Sequence, residues 1–365
     1  MNKKIQIAAI SGAILFSIFV LTSPDNETSI PLPKPNSYSE NDSVMILAEN
    51  LDKPRAIAVY DNRIFVTEKD GAIRVIENDQ LLESPLATFR TPNVFDGGLL
   101  GIAAHPNFSN NNFLYVFLTY EENGNLWNKV LKITEENNKL KDVETIIDKI
   151  PGSSFYNGGF LKFGPDGKLY VGTGTVSDDS HLPQDVNSLA GKILRLNDDG
   201  TIPDDNPFDN SPVYSLGHRN PQGMTWDADG NLYVAEFGPE KNDEINLILA
   251  GKNYGWPEEE CSGDDAFENS ILCYDPSIEP GGILYYSGDR LDFEFPFILA
   301  SMRAANLYQL DFDEGLGSQK SILSGIGRVR DVVQDSDGSL YVITSNTDGK
   351  GFPDGADDKL LRILK

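Results

Sequence analysis

Histidine and cysteine are scarce, with three His and two Cys among 365 residues. A structural zinc is disfavoured, because no further Cys and no nearby His joins Cys261 and Cys273 to complete a ligand set. Positive charge is short as well: 30 Lys and Arg face 56 Asp and Glu, for a formal net charge of −26. Nucleic acid and anionic membrane surfaces need clustered basic residues, so neither is an expected partner. Long amphipathic helical runs are missing while Gly (33) and Pro (21) abound, which argues against a helical bundle. What remains, 39% hydrophobic and 24% charged, is the composition of an ordinary globular chain. Its length suits several domains or one large all-β unit.

The first residues read as a targeting segment. Lys3 and Lys4 precede an apolar run from Ile5 to Leu21, broken only by Gln6, Ser11, Gly12 and Ser17. A basic start before such a run is a secretory signal, and its length is just enough to span a bilayer. Residues 1–23 are thus a cleaved signal peptide or an uncleaved anchor, with residues 5–21 as the tether. Residues 24–43, rich in Pro, Ser, Asn and acid, read as a flexible stalk. The expected location is secreted, or anchored on the outer face of the cytoplasmic membrane. In an exported protein, Cys261 and Cys273 are expected to form a disulfide. Asn26, Asn41 and Asn107 head glycosylation-type sequons.

Residues 44–365 carry a repeat. Ile64-Phe65-Val66, Leu114-Tyr115-Val116, Leu169-Tyr170-Val171, Leu232-Tyr233-Val234, Leu307-Tyr308-Gln309 and Leu340-Tyr341-Val342 share one cadence. Three follow Asp-Gly turns (Asp166-Gly167, Asp229-Gly230, Asp337-Gly338), and Asp61-Asn62 serves the first. Turn residues before β-branched and aromatic triplets signal hairpins. Irregular spacing excludes a solenoid and suits propeller blades with variable loops. The expected fold is all-β, a six-bladed β-propeller of four-stranded antiparallel blades.

Several longer motifs stand on that frame. They are Gly98-Leu99-Leu100-Gly101 with His105-Pro106-Asn107-Phe108, and Gly191-Lys192-Ile193-Leu194-Arg195. Then come Gly217-His218-Arg219-Asn220-Pro221-Gln222-Gly223, Glu236-Phe237-Gly238-Pro239, Asp243-Glu244-Ile245-Asn246-Leu247 and Gly251-Lys252-Asn253-Tyr254-Gly255-Trp256-Pro257. Tyr286-Ser287-Gly288-Asp289-Arg290 and Arg328-Val329-Arg330-Asp331-Val332 complete the set. In this order they resemble the glucose/sorbosone dehydrogenase family, soluble quinoproteins that use pyrroloquinoline quinone (PQQ) and calcium. The resemblance implies an oxidoreductase that converts the anomeric hydroxyl of aldose sugars to lactones and passes electrons to an unidentified acceptor. It implies that Arg219 and Asn220 meet the quinone, that Arg328 and Arg330 bind its acidic groups, and that Arg303 adds a further cation. Asp96 stands where relatives carry a PQQ-contacting Gln or Glu. Gly238 and Pro239 match the site of a catalytic calcium, and Glu244 and Tyr254 that of a structural one. Arg suits planar, forked carboxylate recognition better than Lys, which agrees with the assignment.

The chain departs from the family at the base. Relatives take the substrate proton with a His upstream of a Phe-Gly-Pro-Asp-Gly turn, present here as Phe163-Gly164-Pro165-Asp166-Gly167. Tyr156 stands in the place of that His, and Phe160 replaces a following Arg. A phenol titrates near about pH 10, so Tyr156 needs a strongly lowered pKa to serve. His105 reads as structural, His218 as an orienting residue and His181 as a loop residue. Two readings follow: a PQQ-dependent sugar dehydrogenase, or a non-catalytic propeller that binds quinone, calcium or a partner.

Overall fold

The computed structural model describes residues 43–178, 180–262, 266–312 and 319–365. The proposed signal or anchor (residues 1–23) and the stalk (residues 24–43, save Ser43) lie outside the described residues. Six antiparallel sheets follow one another along the chain. Their innermost strands are Pro54–Tyr60, Leu99–Ala104, Gly158–Phe163, Pro221–Trp226, Pro280–Tyr285 and Val329–Gln334. Each packs against the next, and the last against the first, so the sheets radiate from one axis as a six-bladed propeller.

Ring closure joins the two ends of the domain. Val44–Ala48 supplies the outermost strand of the sixth blade, pairing with Leu360–Ile363 (Val44 opposite Ile363, Met45 opposite Arg362). In the first blade the outer strand is split into Gln80–Leu81 and Ala87–Thr88, both paired with Ala72–Glu77.

The period-two pattern explains the apolar triplets. In Phe113–Glu122, Leu114, Val116 and Leu118 face the first blade, while Tyr115 and Phe117 face the third. A blade strand is covered on both faces, so its sequence runs apolar without alternation. The core is accordingly six clusters, one between each pair of adjacent blades. Five of the six triplets mark second strands. Leu307-Tyr308-Gln309 is the exception: it lies in Asn306–Leu310, the third strand of its blade, and the second is Phe297–Ser301.

The Asp-Gly turns close three-residue loops rather than two-residue ones: Asp227 N–H donates to Asn231 O, and Asp335 N–H to Ser339 O. Close approach at the axis also demands glycine. A Cβ on Gly101 would stand 2.3 Å from Gly159 O, and one on Gly223 would stand 2.5 Å from Gly281 O.

Candidate active site

All six innermost strands begin at the same end of the axis, and the residues singled out by motif collect there. Asp96 precedes the second inner strand, Tyr156 the third, Arg219 and Asn220 the fourth, and Arg328 and Arg330 border the start of the sixth. The starts are tied to one another. Arg55 Nη2 donates to Asp96 Oδ1 (2.9 Å), Tyr156 N–H to Asp96 Oδ2 (3.1 Å), and Gly158 N–H to Asn220 Oδ1 (3.0 Å). Asp96 and Asn220 therefore brace neighbouring blades, and Asn220 is almost wholly buried.

An open pocket lies over this end. Six cations line it (Lys53, Arg55, Lys69, Arg328, Arg330, Lys350) against three carboxylates, Asp96, Glu279 and Asp348. That local excess of positive charge stands within a chain of net charge −26. Arg328 is clamped, with Nη2 2.9 Å from Glu279 Oε2 and Nε donating to Asp348 Oδ2 at 3.0 Å. Arg303 and Lys350 join on Glu279 Oε1 at 3.0 and 3.4 Å. Burial opposes ionisation of Glu279, but Arg328, Lys350 and Arg303 outweigh it and hold its carboxyl at about 2. Arg328 and Arg303 thus already have an anionic partner from the fifth blade.

Arg330 does not. Its Nη1 reaches Met302 Sδ at 3.1 Å and Gln222 Oε1 at only 3.5 Å, and its buried Nε has no hydrogen-bond partner. Burial first, and then the nearby Arg55, push its pKa down to about 9. Lys69 is lowered in the same way by burial and Arg55. Crowded, poorly paired cations facing a pocket fit a planar ligand with several carboxylates, which would relieve both their desolvation and their repulsion.

Beside this pocket Arg219 lies between two rings, its Cζ 4.3 Å from the centroid of Tyr156 and 5.2 Å from that of Trp256. Its Nε donates to Asp178 Oδ1 (2.9 Å), and Nη1 donates to the carbonyls of Phe237 and Gly238. Tyr156 sits at φ +56° and donates its hydroxyl to Asp178 Oδ2 (3.1 Å). Burial raises the Tyr156 phenol and Asp178 adds to this; Arg219 opposes without prevailing. The lowering that a phenolate base requires is absent, so Tyr156 is a hydrogen-bond donor here.

Behind the Gly238-Pro239 turn is a small acid-lined pocket bordered by Glu236, Glu244, Glu259 and Glu260. Burial raises both Glu236 and Glu244, and the proximity of Glu236 raises Glu244 further. His218 is pushed down to about 3 by burial, so it meets Glu236 at 3.1 Å as a neutral imidazole rather than as an ion pair. The Tyr254 hydroxyl donates to Leu247 O (2.6 Å) and its ring stacks on His218 at 4.8 Å, which makes that side chain structural. Gly238 O faces the Arg219 guanidinium, an arrangement that does not suit a cation there. Among the described residues no three His, Cys, Asp or Glu side chains form a metal cluster.

The sequence reading missed Arg55, Lys69, Glu279, Lys350 and Asp178. Arg55 and Glu279 flank inner-strand starts, the same position that marks Arg219 and Arg328, so the repeat itself was the usable signal. None of the three His enters the cleft. His105 accepts from Asn107 N–H and packs on Phe163, and His181 is exposed beside Glu258. The expected bond between Cys261 and Cys273 is present, holding the loop whose Cys261 N–H donates to Glu244.

The family model for glucose/sorbosone dehydrogenase matches residues 51–362. The PQQ-bound aldose sugar dehydrogenase of Streptomyces coelicolor superposes with a TM-score of 0.79 at 32% identity, covering 88% of this chain and 98% of that one. Aldose sugar dehydrogenase YliI of Escherichia coli is 29% identical over 84% of this chain and 91% of its own length. Quinoprotein glucose dehydrogenase B of Acinetobacter calcoaceticus is 35% identical over 62% of this chain, a match that spans 55% of that protein. With the propeller, the inner-strand motifs and the cation-lined pocket in agreement, this chain belongs to the glucose/sorbosone dehydrogenase family of PQQ-type sugar dehydrogenases.

Proposed function

We propose that the protein is an exported quinoprotein that oxidises the anomeric hydroxyl of aldose sugars to lactones, holding PQQ in the pocket over the inner-strand starts. The observation that carries this is Arg330, a buried cation with an unpaired Nε that lines a strongly basic recess in an acidic chain. Arg330 and Arg55, with Lys69 at the rim, bind the cofactor's carboxylates, while Arg303 and Arg328 contribute through the cluster around Glu279. Arg219, fixed by Asp178 and two carbonyls, would meet the quinone from beside that pocket. When bound, PQQ supplies an ortho-quinone that accepts the hydride from the anomeric carbon. The chain's own part is to bind, orient and remove the hydroxyl proton.

Calcium belongs to this reading through the acid-lined pocket. A divalent cation held by Glu244 and Glu236 would offset the burial that raises both carboxyls. Export is supported by the basic-then-apolar N-terminus and by the disulfide, and the acceptor of electrons is external.

The test is reconstitution of the full-length chain with PQQ and Ca²⁺, followed by aldose and a dye acceptor. Sugar-dependent dye reduction is the expected result; absence of quinone binding overturns the reading. The non-catalytic alternative is favoured by one observation, the protonated Tyr156 in the place of the family's His. Bound quinone that no aldose reduces would select it.

A further inference from the structure

If the reaction runs, a group other than Tyr156 must take the substrate proton. Asp96, Glu279 and Asp348 line the basic pocket, and Asp178 holds Arg219. Asp96 spends one oxygen on Arg55 and the other on Tyr156 N–H. Glu279 is locked by Arg303, Arg328 and Lys350. Asp348 binds Arg328 through Oδ2 and Lys350 N–H through Oδ1. Their side chains are only 20%, 7% and 17% exposed, against 45% for Asp178.

Asp178 is also engaged differently. Oδ1 is anchored by Arg219 Nε and Nη2 at 2.9 and 2.8 Å, which fixes the carboxylate plane. Oδ2 accepts from one neutral hydroxyl, the Tyr156 phenol. A sugar hydroxyl is the same kind of donor, and half-exposure lets it reach that oxygen. An oriented carboxylate oxygen already receiving an O–H donor has the geometry of a general base.

We propose that Asp178 Oδ2 is the base for aldose oxidation, with Arg219 holding it and the Tyr156 hydroxyl marking the place where the substrate hydroxyl binds. This inference rests on the dehydrogenase reading given above. The anomeric O–H breaks and its proton moves to Oδ2, the C–H electron pair leaves as hydride to the ortho-quinone acceptor, and a C=O forms. Solvent then takes the proton from Asp178. The charged or titratable groups against Asp178 are Arg219 from the fourth blade and Tyr156 from the third. His181 of its own loop turns to Glu258 instead.

The experiment compares the wild type with Asp178→Asn and Tyr156→Phe in the full-length chain. Asp178→Asn is expected to lower kcat/KM by about 100-fold or more, the range for a lost general base. It should keep PQQ affinity within about threefold and abolish the acid limb of the pH profile, which a merely structural contact would not do. Tyr156→Phe is expected to cost no more than about tenfold, the share of a single hydrogen bond. A second readout needs no cofactor: Tyr156 ionisation, followed as the tyrosinate absorbance missing from Tyr156→Phe, should shift to lower pH in Asp178→Asn. Wild-type turnover and an intact acid limb in Asp178→Asn would overturn the proposal, as would loss of activity in Tyr156→Phe alone. An unmoved tyrosinate titration would also overturn it. Failure of the wild type to oxidise any aldose with PQQ bound defeats the dehydrogenase reading itself, a distinct result.

Discussion

Glu279 and Arg328 meet at 2.9 Å across the fifth and sixth blades, both nearly excluded from solvent. Arg303 and Lys350 complete the cluster, so Glu279 meets three cations, of which Arg328 also holds Asp348. Glu279 is held at about 2 when folded, against 4.5 ordinarily. A lowered carboxylate contributes stability that is present above its unfolded value and is lost as pH falls through the folded one. The contribution is on the order of 3 kcal/mol. Urea unfolding between about pH 6 and about pH 2 should therefore show a steeper stability loss in the wild type than in Glu279→Gln. Parallel curves for the two proteins would rule out this cluster as the cause.

Arg330 makes the opposite case, because its charge is buried with no carboxylate partner. Replacing it by Met removes an incompletely paired cation at similar volume, which is expected to leave the cofactor-free protein as stable or about 1 kcal/mol more stable. PQQ binding should weaken about 10- to 100-fold, the share of a charge-assisted hydrogen bond. Thermal unfolding and quinone titration measured on the same preparation would separate the two effects. A variant that loses stability but keeps its quinone affinity would assign Arg330 to the fold.

Much of the architecture is legible in the sequence because blade strands are covered on both faces and their turns use Asp and Gly. Leu114 through Leu118 shows this, an unbroken apolar run serving two cores. Leu307-Tyr308-Gln309 misleads for the same reason: a third strand buried on both faces looks like a second. The pairing of Val44–Ala48 with Leu360–Ile363 joins the ends of the domain and leaves no local mark. At the site, motif residues such as Arg219 and Arg330 were visible through family resemblance. Glu279 and Asp178 were not, since a single acid in a loop looks like a solvated charge until its partners are known. Tyr156 was visible, but the sign of its pKa shift depends on burial, which sequence does not give.

The acid-lined pocket yields a prediction about metal. Glu244 faces Glu236 there, and its Oε2 accepts from Asn246 Nδ2 at 3.0 Å. Calcium binding only the folded state stabilises by about 2.7 kcal/mol at a hundredfold excess over its Kd. Calcium should therefore raise the thermal midpoint of the wild type and a chelator should reverse the effect, while Glu244→Gln responds weakly. An equal calcium response in both proteins would remove Glu244 from the ligand set.

The disulfide links this pocket to stability. Cys273 lies opposite Glu244 in the strand pair, and Cys261 N–H donates to the Glu244 carboxylate, so the bond fixes one wall of the acid pocket. Closing a loop with a sequence separation of 12 restrains the unfolded chain by about 2–3 kcal/mol. Thiol titration of the denatured, unreduced protein should find no free thiol. Cys261→Ser with Cys273→Ser should lower the urea midpoint accordingly. Because the same variant frees the backbone donor to Glu244, its calcium response should fall as well. PQQ affinity should change little, since Arg330 and Arg55 stand on inner strands that this loop does not carry. A double variant with lost quinone binding and an intact calcium response would reverse that assignment.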